Sequence, residues 1–146
     1  MYFKARQGGF NHLFKYNGSV LTLLSNSEPS NLIVFNGKLY FVASAAVFSK
    51  LISYDHTSFV QISNTNPDGA LDNPRYLTVF NNALYFIANN AAGHDKLFRY
   101  DGNTIAQVSN FGLGDSDRIE NLFVYNNALY FTHVWGTGVL KLYRLE

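Results

Sequence analysis

Asn121-Leu-Phe-Val-Tyr-Asn-Asn-Ala-Leu-Tyr-Phe131 decides the fold. Two apolar runs flank an Asn-Asn pair, and Asn tolerates the positive φ that a tight hairpin turn demands, so the stretch reads as a β-hairpin. Its ending recurs. Leu-Tyr-Phe also stands at Leu39-Tyr40-Phe41 and Leu84-Tyr85-Phe86, and Met1-Tyr2-Phe3 repeats it with the first residue changed. The tyrosines fall at 2, 40, 85 and 130, so the spacings are 38, 45 and 45 residues. A fixed period of roughly 20–50 residues is the mark of a repeat architecture.

Each unit carries four strand-like runs. The first is Asn31–Phe35, Tyr76–Phe80 or Asn121–Tyr125, followed by the turns Asn36-Gly37, Asn81-Asn82 and Asn126-Asn127. The second is the Leu-Tyr-Phe run. The third is His12–Tyr16, Lys50–Tyr54, Lys96–Tyr100 or Lys141–Arg144, and in the first three copies a tight turn at Asn17-Gly18, Asp55-His56 or Asp101-Gly102 follows it. The fourth is Val20–Leu24, Phe59–Ile62 or Ile105–Val108, closed by Ser25-Asn26, Ser63-Asn64 or Ser109-Asn110. The third run alternates, Leu97 and Arg99 pointing one way and Phe98 and Tyr100 the other, while apolar residues fall on both faces of the strands; no helical period is sustained, and Gly and Asn punctuate every run. Tandem four-stranded antiparallel units of about 45 residues predict an all-β chain built of β-propeller blades. Residues 1–146 then hold one partial propeller: strands two to four of one blade, two full blades, and strands one to three of a fourth. That makes roughly three and a half blades.

Composition narrows the function. Hydrophobic residues are 47% of the chain and aromatics 16%, enough for a core of stacked rings. Charged residues are only 14% and the net charge is +1, with no basic stripe, so nucleic acid is a poor partner. No run reaches the ~18–20 apolar residues of a membrane-spanning helix. There is no cysteine, which removes disulfides, thiolate metal sites and cysteine nucleophiles together.

Lys96-Leu-Phe-Arg-Tyr-Asp-Gly-Asn-Thr104 and Asn121–Phe131 resemble bacterial propeller repeats with the Glu-Leu-Trp-x-x-Asp-Gly-Thr signature and, more loosely, kelch repeats. Phe98 stands at the Trp position. The resemblance covers nearly the whole chain. It implies a binding or scaffold module on a large bacterial surface or secreted protein.

An incomplete ring leaves open faces and unpaired edges, which invite another chain. A homodimer is the expected assembly, with the first strand at Asn121–Tyr125 of one copy pairing with the strands at Tyr2–Leu24 of the other. Six or seven blades per dimer are both compatible with the strand count. In each blade the tight turns share one rim, and the longer connections after the second and fourth strands share the other. Variable loops on one side of a repeat scaffold carry recognition, so a protein or glycan ligand is expected there.

Five residues on that side are the candidates for ligand contact. Trp135, the only tryptophan, sits beside glycines and is read as stacking on a sugar or plugging a junction. His133 and His94 lie in the same class of loop. Asp115 and Asp117, with Glu120, form an acidic cluster. Alternating acids can ligate Ca²⁺, but the calcium-loop pattern is absent, and a solvated or turn-capping role is the plainer reading. No metal, cofactor or catalytic motif is expected: no two histidines have metal-ligand spacing, and Gly112-Leu-Gly114 is not followed by a helix. The reading is a non-catalytic scaffold or binding module; the alternative is a carbohydrate-binding lectin propeller.

Overall fold

The computed structural model describes residues 1–45, 48–67, 71–111, 116–135 and 138–146. They form fourteen strands: β1 (Tyr2–Gln7), β2 (Phe10–Tyr16), β3 (Leu21–Ser25), β4 (Glu28–Phe35), β5 (Lys38–Ala45), β6 (Phe48–Tyr54), β7 (Phe59–Gln61), β8 (Arg75–Phe80), β9 (Ala83–Asn89), β10 (Asp95–Tyr100), β11 (Ile105–Gln107), β12 (Ile119–Tyr125), β13 (Ala128–Trp135) and β14 (Val139–Leu145). Consecutive strands pair antiparallel into four sheets: β1-β2-β3, β4-β5-β6-β7, β8-β9-β10-β11 and β12-β13-β14. We number them sheets 1 to 4. This division of three, four, four and three strands is the one that the repeat spacing predicts. The architecture is all-β and repeated, compatible with a propeller-like fold. No helix among the described residues is long and apolar enough to cross a membrane.

Turn chemistry sets the strand ends. Asn81 and Asn82 have φ of 43° and 54°, and Asn126 and Asn127 have 44° and 57°, the left-handed pairs whose twist suits a two-residue hairpin. The third-to-fourth turns use a side chain instead. Asn17, Asp55 and Asp101 each accept two backbone N–H groups from residues two and three further on, from 2.8 to 3.0 Å. The tyrosine before each of these turns closes it: Tyr16, Tyr54 and Tyr100 donate their hydroxyls to the carbonyls of Gly18, His56 and Gly102.

The first strands begin earlier than the sequence suggests. Glu28–Ser30 belongs to β4, and a β-bulge lies between Ser30 and Ile33. The same bulge recurs between Arg75 and Thr78 and between Glu120 and Phe123. At its centre stand Asn31, Tyr76 and Asn121, all left-handed. The bulge resets which face each side chain meets, hiding the alternation from a period-two reading. The second-to-third connections are also tighter than expected. Gly8-Gly9 alone joins β1 to β2, and β13 runs on to Trp135. The fourth strands β7 and β11 have only 3 residues each, short enough to blunt an exposed edge.

The sheets pack face to face in chain order. Leu13 of sheet 1 joins Leu39, Phe41 and Tyr54 of sheet 2. Phe35, Tyr40 and Leu51 of sheet 2 meet Leu84, Phe86, Phe98 and Tyr100 of sheet 3. Phe80, Tyr85, Ile87 and Leu97 of sheet 3 meet Ile119, Leu122, Leu129 and Phe131 of sheet 4. Strand β9 is buried on both faces, which explains the apolar run Ala83-Leu-Tyr-Phe-Ile-Ala88. Each large side chain buried this way contributes roughly 1.5–3 kcal/mol.

Candidate functional site

A polar lock repeats at the second and third sheets. Lys50 Nζ lies 2.7 Å from Asp72 Oδ1, and Lys96 Nζ 2.7 Å from Asp117 Oδ1. Each ammonium also reaches an asparagine Oδ1 at 3.3 Å, Asn64 and Asn110 respectively. Ser63 and Ser109 accept the N–H of Leu51 and Leu97, each at 2.8 Å, where the short fourth strand ends. Asp117 also accepts the Ser109 hydroxyl. The aspartates stand on the linkers that leave each sheet, so the lock fastens the third strand to the chain's exit toward the next sheet. Lys50 and Lys96 face Ala43 and Ala88 across the ladder, small residues beside long ones. At the corresponding places sheet 1 carries His12 and Ser27, with Ser25 and Ser27 sharing a hydroxyl hydrogen bond at 2.7 Å. The Ser-Asn pair and the strand-opening Lys are visible in the sequence. Their pairing with an Asp 21 or 22 residues later is not, because the linker length varies.

The expected ligand contacts fall differently. Asp117 is fully buried and its carboxylate is committed to Lys96, Ser109 and the N–H of Phe111. His133 is buried beside it. Its Nδ1 shares a hydrogen bond with the Asp117 carbonyl, and its ring packs on Phe111 and Tyr143. The structure therefore brings His133 and Asp117 together, inside a junction between sheets. His94 is half-buried in the loop after β9, where its N–H donates to Asn90 Oδ1 and its carbonyl accepts the Asn90 N–H. Trp135 ends β13 opposite Val139, and its side chain lies outside what the structure describes. Asp115 also lies outside the described residues. Among the described residues no three His, Asp or Glu side chains converge on a common point that a metal would occupy.

Two features were missed by sequence reasoning. The first is a groove of about 420 Å³ between sheets 2 and 3. Phe98, Tyr100 and Ile105 supply its apolar wall; Gln61, Thr65 and Asn103 supply polar groups. The Thr65 hydroxyl is buried with no hydrogen-bond partner, a state that costs roughly 1–3 kcal/mol. The sister junction between sheets 3 and 4 is filled. There Phe111 stacks at 4.6 Å from Tyr143 and 5.9 Å from Phe131. Counted from the Ser-Asn pair, Thr65 stands where Phe111 stands. The linker after Thr65 is one residue longer, so Asn66 rather than Thr65 gives its N–H to the aspartate.

The second feature is a match between the two ends of the stack. Phe35 and Leu51 of sheet 2 are 4% and 0% exposed against sheet 3. Their repeat equivalents in sheet 4, Tyr125 and Leu142, are both 62% exposed. Phe123 and Leu140 share that open face. At the other end Phe14 and Tyr16 of sheet 1 correspond to Phe98 and Tyr100; Phe14 is already buried against Phe3, while Tyr16, Leu21 and Leu23 lie exposed.

A scan against protein-family models, a search of curated proteins and a search of solved structures each found no match to this chain.

Proposed function

We propose that the chain is a non-catalytic β-propeller scaffold and binding module, and that two copies complete its ring. One observation carries this reading. The open face of sheet 4 presents by repeat position the residues with which sheet 2 covers sheet 3, and the open face of sheet 1 exposes Tyr16 and Leu21 at the repeat positions of the covered Tyr100 and Ile105. An exposed apolar face of this kind marks an interaction surface. A second copy is the partner whose surface complements both ends at once, and two such contacts close on themselves. Stacking whole end sheets leaves every strand pair intact. The exchange of Asn121–Tyr125 expected from sequence would instead use the free edge of β12, whose other edge pairs with β13 from Ile119 to Tyr125. Two copies stacked this way supply eight sheets, four from each. The short, side-chain-capped turns and the committed Lys–Asp pairs fit a rigid frame rather than a reacting centre.

Light scattering on the eluting protein at micromolar concentration tests this. The expected mass is twice the 16.5 kDa of one chain. Leu142→Arg, placed on an exposed side chain, is expected to give a folded monomer. A native protein that elutes at the single-chain mass would refute the assembly.

A further inference from the structure

The open groove between sheets 2 and 3 has a sister that is plugged by an aromatic ring, and that contrast within one chain is informative. Where the junction of sheets 3 and 4 buries Phe111 against Tyr143, the junction of sheets 2 and 3 leaves a space beside Phe98. Phe98 stands at the repeat position of Tyr143. The lining carries no charged side chain. It offers exposed side-chain amides at Gln61 and Asn103, while the unpartnered hydroxyl of Thr65 is turned in behind the wall, so a ligand meets it only if that side chain rotates. Gln61 is held in place by donating to the Ser63 carbonyl at 2.9 Å, and Tyr100 by donating to the Gly102 carbonyl at 2.9 Å. The polar groups are thus neutral and placed beside a ring wall, in a volume within the roughly 300–1,000 Å³ of small-molecule sites.

From this geometry we infer that the groove binds a neutral pyranose sugar. The exposed amides of Gln61 and Asn103 match the hydroxyls of such a ring, and its apolar C–H face matches Ile105 and the edge of the Phe98 ring, whose face is stacked on Phe86. A charged ligand finds no counter-ion here, and a purely apolar one would strip water from the exposed amide groups of Gln61 and Asn103 without replacing its hydrogen bonds. Both walls come from one chain, so the site exists whether or not two copies associate. Its failure and the failure of the assembly are therefore separate results.

The test uses the full chain, isotopically labelled, titrated with the methyl pyranosides of glucose, galactose, mannose and N-acetylglucosamine, with glycerol as a polyol control. At least one pyranoside is expected to shift the side-chain amide signals of Gln61 and Asn103 and to receive saturation from the protein. Thr65→Phe, which copies the sister junction, is expected to weaken that binding by about tenfold or more. Should Thr65→Phe fail to fold, Asn103→Ala in the exposed turn serves instead, with a loss of at least about threefold expected. The inference is overturned if no pyranoside shifts these signals, if glycerol shifts them equally, if the shifts map to another part of the protein, or if the folded variant binds as the native chain does.

Discussion

Tyr76 shows how far a single residue can bend to the repeat. It stands at the centre of the first-strand bulge with φ 54°, where the sister units place Asn31 and Asn121. A left-handed backbone costs an L-residue roughly 1–2 kcal/mol, and Asn is among the few side chains that ease it through local hydrogen bonding. Tyr76→Asn is therefore expected to stabilise the fold by roughly 0.5–1 kcal/mol, read as a raised urea midpoint. The turn carboxylates act at the same scale. Two backbone N–H bonds from Thr104 and Asn103 hold the Asp101 carboxyl down to about 2. Asp55 is lowered further by Ser58 and Thr57. A lowered folded value means the charged form is favoured on folding, so this stabilisation is complete above about pH 4 and fades as pH falls toward about 2. Asn17 makes the same backbone bonds without titrating. The double variant Asp55→Asn/Asp101→Asn is expected to lose less stability than the native chain between pH 5 and pH 2, by chemical denaturation at each pH. An identical loss in both would contradict the role given to these turns.

Elements explain where sequence reading succeeds and where it stops. The hairpin turns were legible because Asn-Gly and Asn-Asn impose a backbone twist that few other pairs tolerate. The strand order was legible because the phrase recurs about every 45 residues. The bulges were not, since an extra residue shifts alternation without changing composition. Asp117 read as a solvated acid because its partner, Lys96, is distant in sequence. His133 read as a loop residue because β13 extends farther than its Gly-rich neighbourhood suggests. The groove was illegible for a related reason: its walls belong to two sheets, and only the comparison of Thr65 with Phe111 reveals the missing ring. The lock itself is testable at this scale. Lys96→Met leaves a buried carboxylate without its cation and is expected to cost roughly 3–5 kcal/mol in thermal or chemical unfolding. The pair Lys96→Met/Asp117→Leu is expected to recover much of that loss, since an apolar replacement removes both charges together. If the single variant melted like the native chain, the buried pair would have no part in fastening the sheets.

At the scale of the whole molecule, one sequence solves the same packing problem at each junction with slightly different residues. The contacts of sheets 1–2, 2–3 and 3–4 are made within the chain, and the second of them leaves the groove beside Thr65 open. In the proposed assembly the outward faces of sheets 1 and 4 meet, which would cover Tyr125, Leu140 and Leu142, exposed in the single chain. Heterologous faces of this kind either close into a ring or run on into open stacks, and the angle between successive sheets decides which. Small-angle X-ray scattering of the native protein at several micromolar concentrations reads mass and shape together. The account predicts twice the single-chain mass, unchanged across that range, and a flat disc-shaped particle with density depleted at its centre. A compact particle of 16.5 kDa, or an elongated one that grows with concentration, would contradict it.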